Sequence, residues 1–136
     1  MTDINGAIAA AASGMRAQTV RMRIAAENVA NANSTGETPG AEPFRRRIPL
    51  LETTTLASGV NGVRISGATN DMSAFREEYN PGHPAANANG YVQLPNVDTL
   101  VEMMDLREAT RAYEANLNMI EAARTMTTKA LDLLRR

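Results

Sequence analysis

The sequence predicts a mainly α fold: two long terminal helices packed as an elongated antiparallel coiled coil, with a small β-hairpin/loop insertion between them. Three observations carry this. Apolar and small residues recur in alternating steps of four and three from Ile4 to Ala32. No Gly or Pro occurs from Asn96 to Arg136, whereas Gly and Pro punctuate the stretch between the two patterns. The 136 residues then divide, as a single elongated domain, into an N-terminal helix (1–33), a hairpin and loop region (34–95) and a C-terminal helix (96–136).

In the first helix the seam is Ile4, Ile8, Ala11, Met15, Gln18, Met22, Ala25, Val29 and Ala32. Thr2 or Asp3 is placed to cap its start, and Gly36 and Pro39 are its stop signals. Gly6 and Gly14 weaken it, each by about 1 kcal/mol relative to Ala. Three asparagines, Asn28, Asn31 and Asn33, crowd its end, where an amide competes for backbone groups.

In the second helix the seam is Met103, Leu106, Thr110, Tyr113, Leu117, Ile120, Arg124, Thr127, Leu131 and Leu134. A neighbouring register is also small or apolar: Ala109, Ala112, Asn116, Met119, Ala123, Met126, Ala130 and Leu133. Together they make a face wider than a two-stranded coiled coil needs. Asn96 or Asp98 caps the start; Glu102 and Asp105 suit the positive end of the dipole, and Arg135 and Arg136 the negative end.

Between the helices, Phe44 to Thr55 and Val60 to Ser66 read as strands of a hairpin around ASGVNG, with Pro49 favouring an edge. Asn70 to Gly90 reads as a loop, punctuated by NPG, HP and NANG, and Tyr91 to Leu94 as one more short strand.

Helices of about 45 Å and 60 Å exceed a globule about 37 Å across. The expectation is an elongated subunit whose terminal segments are weakly structured alone and order when packed in an oligomer.

The composition narrows the function. A net charge of −1 offers no footprint for nucleic acid. With no cysteine and one histidine, His83, neither a thiolate metal site nor a multi-histidine one is available within a chain, and no cofactor is expected. No apolar run reaches the roughly 20 residues that cross a bilayer, so no direct membrane insertion is expected. The opening MTDINGAIAAAASG lacks the basic n-region of a cleaved signal peptide. Glu77–Glu78 and Asp105–Glu108 lie on a polar loop and a helix face, without a pocket to shift a pKa, and the chain reads as a non-enzyme. His83 in PGHPAA reads as a turn residue or interface donor. Arg45, Arg46 and Arg47 read as a solvated strand edge, Arg45 and Arg47 on one face and Arg46 on the other, or as a salt bridge to a partner. Met103, Met104, Met119 and Met126 read as adaptable packing.

The start, ASGMRAQTVRMRIAAENVANANSTG, resembles the N-terminal signature of the bacterial flagellar rod, hook and axial proteins. The end, NVDTLVEMMDLREATRAYEANLNMIEAARTMTTKALDLL, looks like that family's C-terminal helix, and FREEYNPGHPAANANGYVQLPNV resembles its proximal rod members. The chain departs from the family's tight Thr-Pro-Gly-aromatic turn in STGETPGAEPF.

The resemblance implies a structural subunit of the proximal rod of the flagellar basal body. It would transmit torque between the membrane ring and the distal rod and hook, and would be exported through the type III apparatus without a cleaved signal peptide. Its partners would be copies of itself and other rod proteins, with an adaptor at the membrane ring and export gate as a further candidate. The implied assembly interface comprises Ile4, Ile8, Ala11, Met15, Met22, Val29, Asn28, Asn31, Leu106, Arg111, Tyr113, Asn116, Leu117, Ile120, Leu131 and Leu134. Arg45, Arg46, Arg47 and His83 would be outer contacts. The signature positions, Asn28, Ala30 and Asn31 with Arg111, Tyr113, Glu114 and Asn116, would fix helix register between subunits. Without the resemblance, a stand-alone helical adaptor or secretion chaperone is the other class the helices allow.

Overall fold

The computed structural model describes residues 2–135 and contains two helices with a two-sheet β insertion between them. In chain order the elements are α1 (Thr2–Ala30), β1 (Arg47–Thr55), β2 (Asn61–Asn70), β3 (Arg76–Tyr79), β4 (Tyr91–Leu94) and α2 (Thr99–Leu134). The side chain of Thr2, read as a cap, and Arg136, read as a dipole partner, lie outside the described residues.

α1 ends at Ala30, short of the expected residue 33, because the asparagines redirect the backbone. Asn31 Nδ2 donates back to the Glu27 carbonyl at 2.9 Å, and the Ser34 amide closes a turn on the Asn31 carbonyl at 3.1 Å. A turn follows in Thr38–Ala41, where the Ala41 amide donates to the Thr38 carbonyl at 3.1 Å. Pro39 and Gly40, whose φ is +76°, occupy its two central positions, as a type II turn demands.

At the other end, Asp98 caps α2: its Oδ1 accepts the Leu100 amide at 3.0 Å. Asn96, the other expected cap, is used elsewhere.

β1 and β2 form one two-stranded sheet and β3 and β4 a second, antiparallel one with Arg76 opposite Leu94 and Tyr79 opposite Tyr91. The first is the expected hairpin, closed by the Leu56 amide on the Val60 carbonyl at 2.9 Å. β3 lies within the stretch read as a loop; four exposed residues, REEY, show no alternation to betray a strand, and β4 supplies the ladder.

The residues fall into two compact units. The first comprises α1 up to Met22, Pro49–Gly67 and α2 from Arg107 on; the second comprises Arg23–Ile48 and Ala68–Leu106.

In the first unit small residues sit deepest: Ala11, Ser13, Ala17, Ala109 and Ala123 are buried, whereas Ile4, Ile8, Met15 and Met22 are only half-buried. The glycines that weaken α1 mark its close approaches. A Cβ on Gly6 would lie 2.7 Å from Val60 Cγ2, and one on Gly14 would lie 2.7 Å from Asn116 Nδ2. Ser13 Oγ donates to the Ala10 carbonyl at 2.7 Å and accepts the Val63 amide at 3.1 Å, pinning the hairpin to α1.

In the second unit, Ile24, Ala25, Asn28, Ala32, Ala85, Val92, Val97 and Glu102 are buried. Two of these eight are polar, and they define the site below.

Candidate assembly surface

In the second unit, polar side chains from four segments converge on Glu102, whose side chain is only 2 % exposed. Arg46 Nε donates to Glu102 Oε1, and Asn28 Nδ2 donates to Oε2 at 3.2 Å. The rest of the Arg46 guanidinium faces Asp71 and Asp105, each at 3.6 Å. Partial burial works against the Arg46 charge, but the hydrogen bond and charge of Glu102, then those of Asp105 and Asp71, hold its pKa above the ordinary value. Asp71 is held below the usual carboxylate range, first by hydrogen bonds from Ser73, whose amide donates at 2.9 Å, and further by Arg46.

Asn28 pairs with a strand backbone through both halves of its amide. Its Nδ2 donates to the Arg47 carbonyl and its Oδ1 accepts the Arg47 amide, each at 2.9 Å. Asn96 does the same work for the neighbouring residue: Oδ1 accepts the Arg46 amide at 2.8 Å, while Nδ2 donates to the Asp71 carbonyl at 2.9 Å. Arg76 NH2 donates to the Ala32 carbonyl at 3.0 Å, satisfying a group just past the end of α1. These polar side chains meet one another and the backbone within the unit.

The first unit is different. An open groove of about 440 Å³ has a floor of Ala7, Ala10, Ala11, Gly14 and Ala17, with Leu51, Val63 and Met119 on its walls. Gln18 also lines it, and its Oε1 is buried without a hydrogen-bond partner among the described residues. On α2 the side chains turned inward are Ala109, Tyr113, Asn116, Ile120, Ala123 and Thr127, drawn alternately from the two expected registers. Leu117, Met119, Met126, Leu131, Leu133 and Leu134 remain exposed, Leu134 at 83 %. Met119, Met126 and Leu133 follow one another at seven-residue steps along one flank of the inward stripe, and Leu131 and Leu134 continue the stripe itself towards the C-terminus. No group of three or more metal-ligating side chains is present among the described residues.

Residues 88–133 match the family model described as "Flagellar basal body rod FlgEFG protein C-terminal". Over 136 residues the chain is 44% identical to the flagellar basal-body rod protein FlgC of Agrobacterium fabrum, an alignment that covers 99% of this chain and 98% of that protein. The chain belongs to the FlgC family of flagellar basal-body rod proteins. It is also 41% identical to the FlgC of Bacillus subtilis and 35% identical to that of Salmonella typhimurium, in each case over 90% of this chain and 92% of the relative.

Within this FlgC family member the expected interface residues divide by unit. In the first, Ala11 is buried; Ile4, Ile8, Met15, Met22, Tyr113, Asn116 and Ile120 are half-buried; Arg111, Leu117, Leu131 and Leu134 are exposed. In the second, Asn28 is buried at 1 % exposure, and Val29, Asn31 and Leu106 are half-buried.

The arginine run corrects the solvated-edge reading. Arg46 points into the carboxylate cluster, Arg47 NH1 donates to both Glu27 oxygens at 3.1 Å, and Arg45 lies over the Phe75 ring at 4.2 Å. Each arginine meets a partner within the chain, because Glu27, Asp71 and the start of α2 present carboxylates there. His83 is the turn residue it resembled: its Nδ1 accepts the Ala85 amide at 3.0 Å.

Sequence reasoning missed Glu102, Asp71, Asn96 and Ser13 as structural partners. Glu102 carried a usable signal. It lies four and seven residues before Leu106 and Ala109, on the stripe that is buried, and a carboxylate there requires a cation opposite.

Proposed function

We propose that the chain is a structural subunit of the proximal rod of the bacterial flagellar basal body, transmitting torque between the membrane ring and the distal rod and hook. Its terminal helices pack on each other as an antiparallel coiled coil and against the helices of copies of itself and of other rod proteins. The chain reaches the rod by type III export.

The observation that carries this reading is the uncovered apolar face of α2, on a member of the rod-protein family. Buried against neighbours, such side chains contribute about 25 cal/mol per Å² of apolar surface. The antiparallel sense is supported by three close approaches in the first unit: Gly14 to Asn116, Arg21 to Glu108 at 3.5 Å, and Met22 to Thr110 at 3.5 Å. Asn28 and Asn31 contribute by fixing how α1 ends; register contacts between subunits fall to Arg111, Glu114 and Asn116.

Replacing Leu131 and Leu134 with Asp tests the reading in motile cells. Loss of rod incorporation and motility is expected, with the isolated chain as stable as before, since both residues are exposed. Intact motility would overturn it. A stable helical dimer by sedimentation, unchanged in the variant, would favour the adaptor or chaperone instead.

A further inference from the structure

Two thioethers stand apart from the other methionines of the first unit. Met119 and Met126 are seven residues apart on α2, so both project from one side, about 10.5 Å apart along the axis. They are 53 % and 56 % exposed, and neither belongs to the inward stripe of Ala109, Tyr113, Asn116 and Ile120. Met119 also walls the groove above Gly14. On α1, by contrast, Met15 and Met22 are half-buried, and Met22 Sδ accepts a hydrogen bond from Thr110 Oγ1 at 3.5 Å. A sulfur is oxidised as readily as its lone pairs can be reached.

We propose that Met119 and Met126 form an oxidation-sensitive site, at which a peroxide makes this flank of α2 polar and so prevents its packing against a second copy of the chain. This rests on the packing role given to α2 under the proposed function. In the step itself, a sulfur lone pair attacks one oxygen of hydrogen peroxide and the S–O bond forms as the O–O bond breaks. The sulfur gives up two electrons and becomes a sulfoxide; the other oxygen takes up the proton and leaves as water. The product replaces an adaptable apolar side chain with a strong acceptor, whose burial without a donor is unfavourable.

The experiment compares the full chain with its Met119→Leu/Met126→Leu variant, before and after hydrogen peroxide. Peptide mass spectrometry gives the order of oxidation, and sedimentation over a concentration series gives association. Met119 and Met126 should gain oxygen well ahead of Met15 and Met22. Oxidised wild-type chain should associate about tenfold more weakly. The leucine variant should associate as before and ignore peroxide, although Met72, Met103 and Met104 remain exposed in it. Equal oxidation of Met22, unchanged association after oxidation, or a leucine variant that stays peroxide-sensitive would each overturn the proposal. An untreated chain that does not associate, or association indifferent to peroxide, overturns the inference alone; the packing role stands or falls separately with the Leu131→Asp/Leu134→Asp variant in motile cells.

Discussion

The same two helices serve both units, yet the units are held by opposite chemistry. Around Glu102 the second unit spends Asn28, Arg46, Arg47, Asp71 and Asn96 on internal hydrogen bonds and ion pairs. Around Gly14 the first unit relies on Ala, Gly and Ser at its closest contacts and leaves its large apolar side chains outside. A satisfied polar cluster fixes one local geometry. A small-residue contact with exposed Leu and Met around it is only partly complete. The difference lies in the interiors alone, since the second unit also exposes large apolar side chains, among them Met72, Leu100, Met103 and Met104.

The largest test of that contrast is Arg46→Met. It strands Glu102 as a buried charge and should cost about 3–5 kcal/mol in urea unfolding of the full chain. Adding Glu102→Leu should recover much of the loss; no recovery would mean that the stranded charge is not what the cluster guards against.

Asn28→Ala comes next. It leaves the Arg47 amide without a partner, and about 1–3 kcal/mol should be lost. Asn28→Asp should be worse, because it sets a second carboxylate beside Glu102 and removes the donor to the Arg47 carbonyl. An Asp variant milder than the Ala one would contradict this geometry.

In the first unit, Gly62→Ala places a Cβ 2.7 Å from Ser13 Oγ and 2.9 Å from Leu56. The cost should be about 1–3 kcal/mol. Hydrogen exchange should speed up at the Val63 amide, which Ser13 accepts, while the amides of Arg46 and Arg47 stay protected. Loss of protection in both places would mean that the substitution does not act through the Ser13 contact.

The smallest effect is acid sensitivity. The pKa of Asp71 is lowered in the folded chain, so its carboxylate adds stability above the ordinary carboxylate value. That stability declines as pH drops below about 4 and is gone once the folded-state pKa is passed. Asp71→Asn should flatten this part of an acid titration, and an unchanged acid limb would count against the Ser73 and Arg46 contacts as its cause.

Much of the fold was legible in the residues. Uninterrupted heptads specify α1 and α2 and ASGVNG sets the hairpin, whereas the path of residues 34–43, with its turn at Thr38–Ala41, was not read from the sequence. β3 was not legible, because REEY shows no alternation and forms only against β4. Of the site, the breadth of the α2 face could be read directly from its two registers. The fate of the arginine run could not. Alternation says which side Arg46 faces, but its nearest carboxylates, Asp71, Glu102 and Asp105, are 25 to 59 residues away in the chain.

By itself, then, the sequence determined the two helices and the hairpin between them, because these follow from local spacing and backbone chemistry. Only the tertiary structure decided that α1 meets its neighbours through Gly6, Ser13 and Gly14, and that Asn28 reads a strand backbone rather than fraying a helix end. Such choices depend on which distant group arrives within hydrogen-bonding or van der Waals range, and no periodicity along a single segment encodes that.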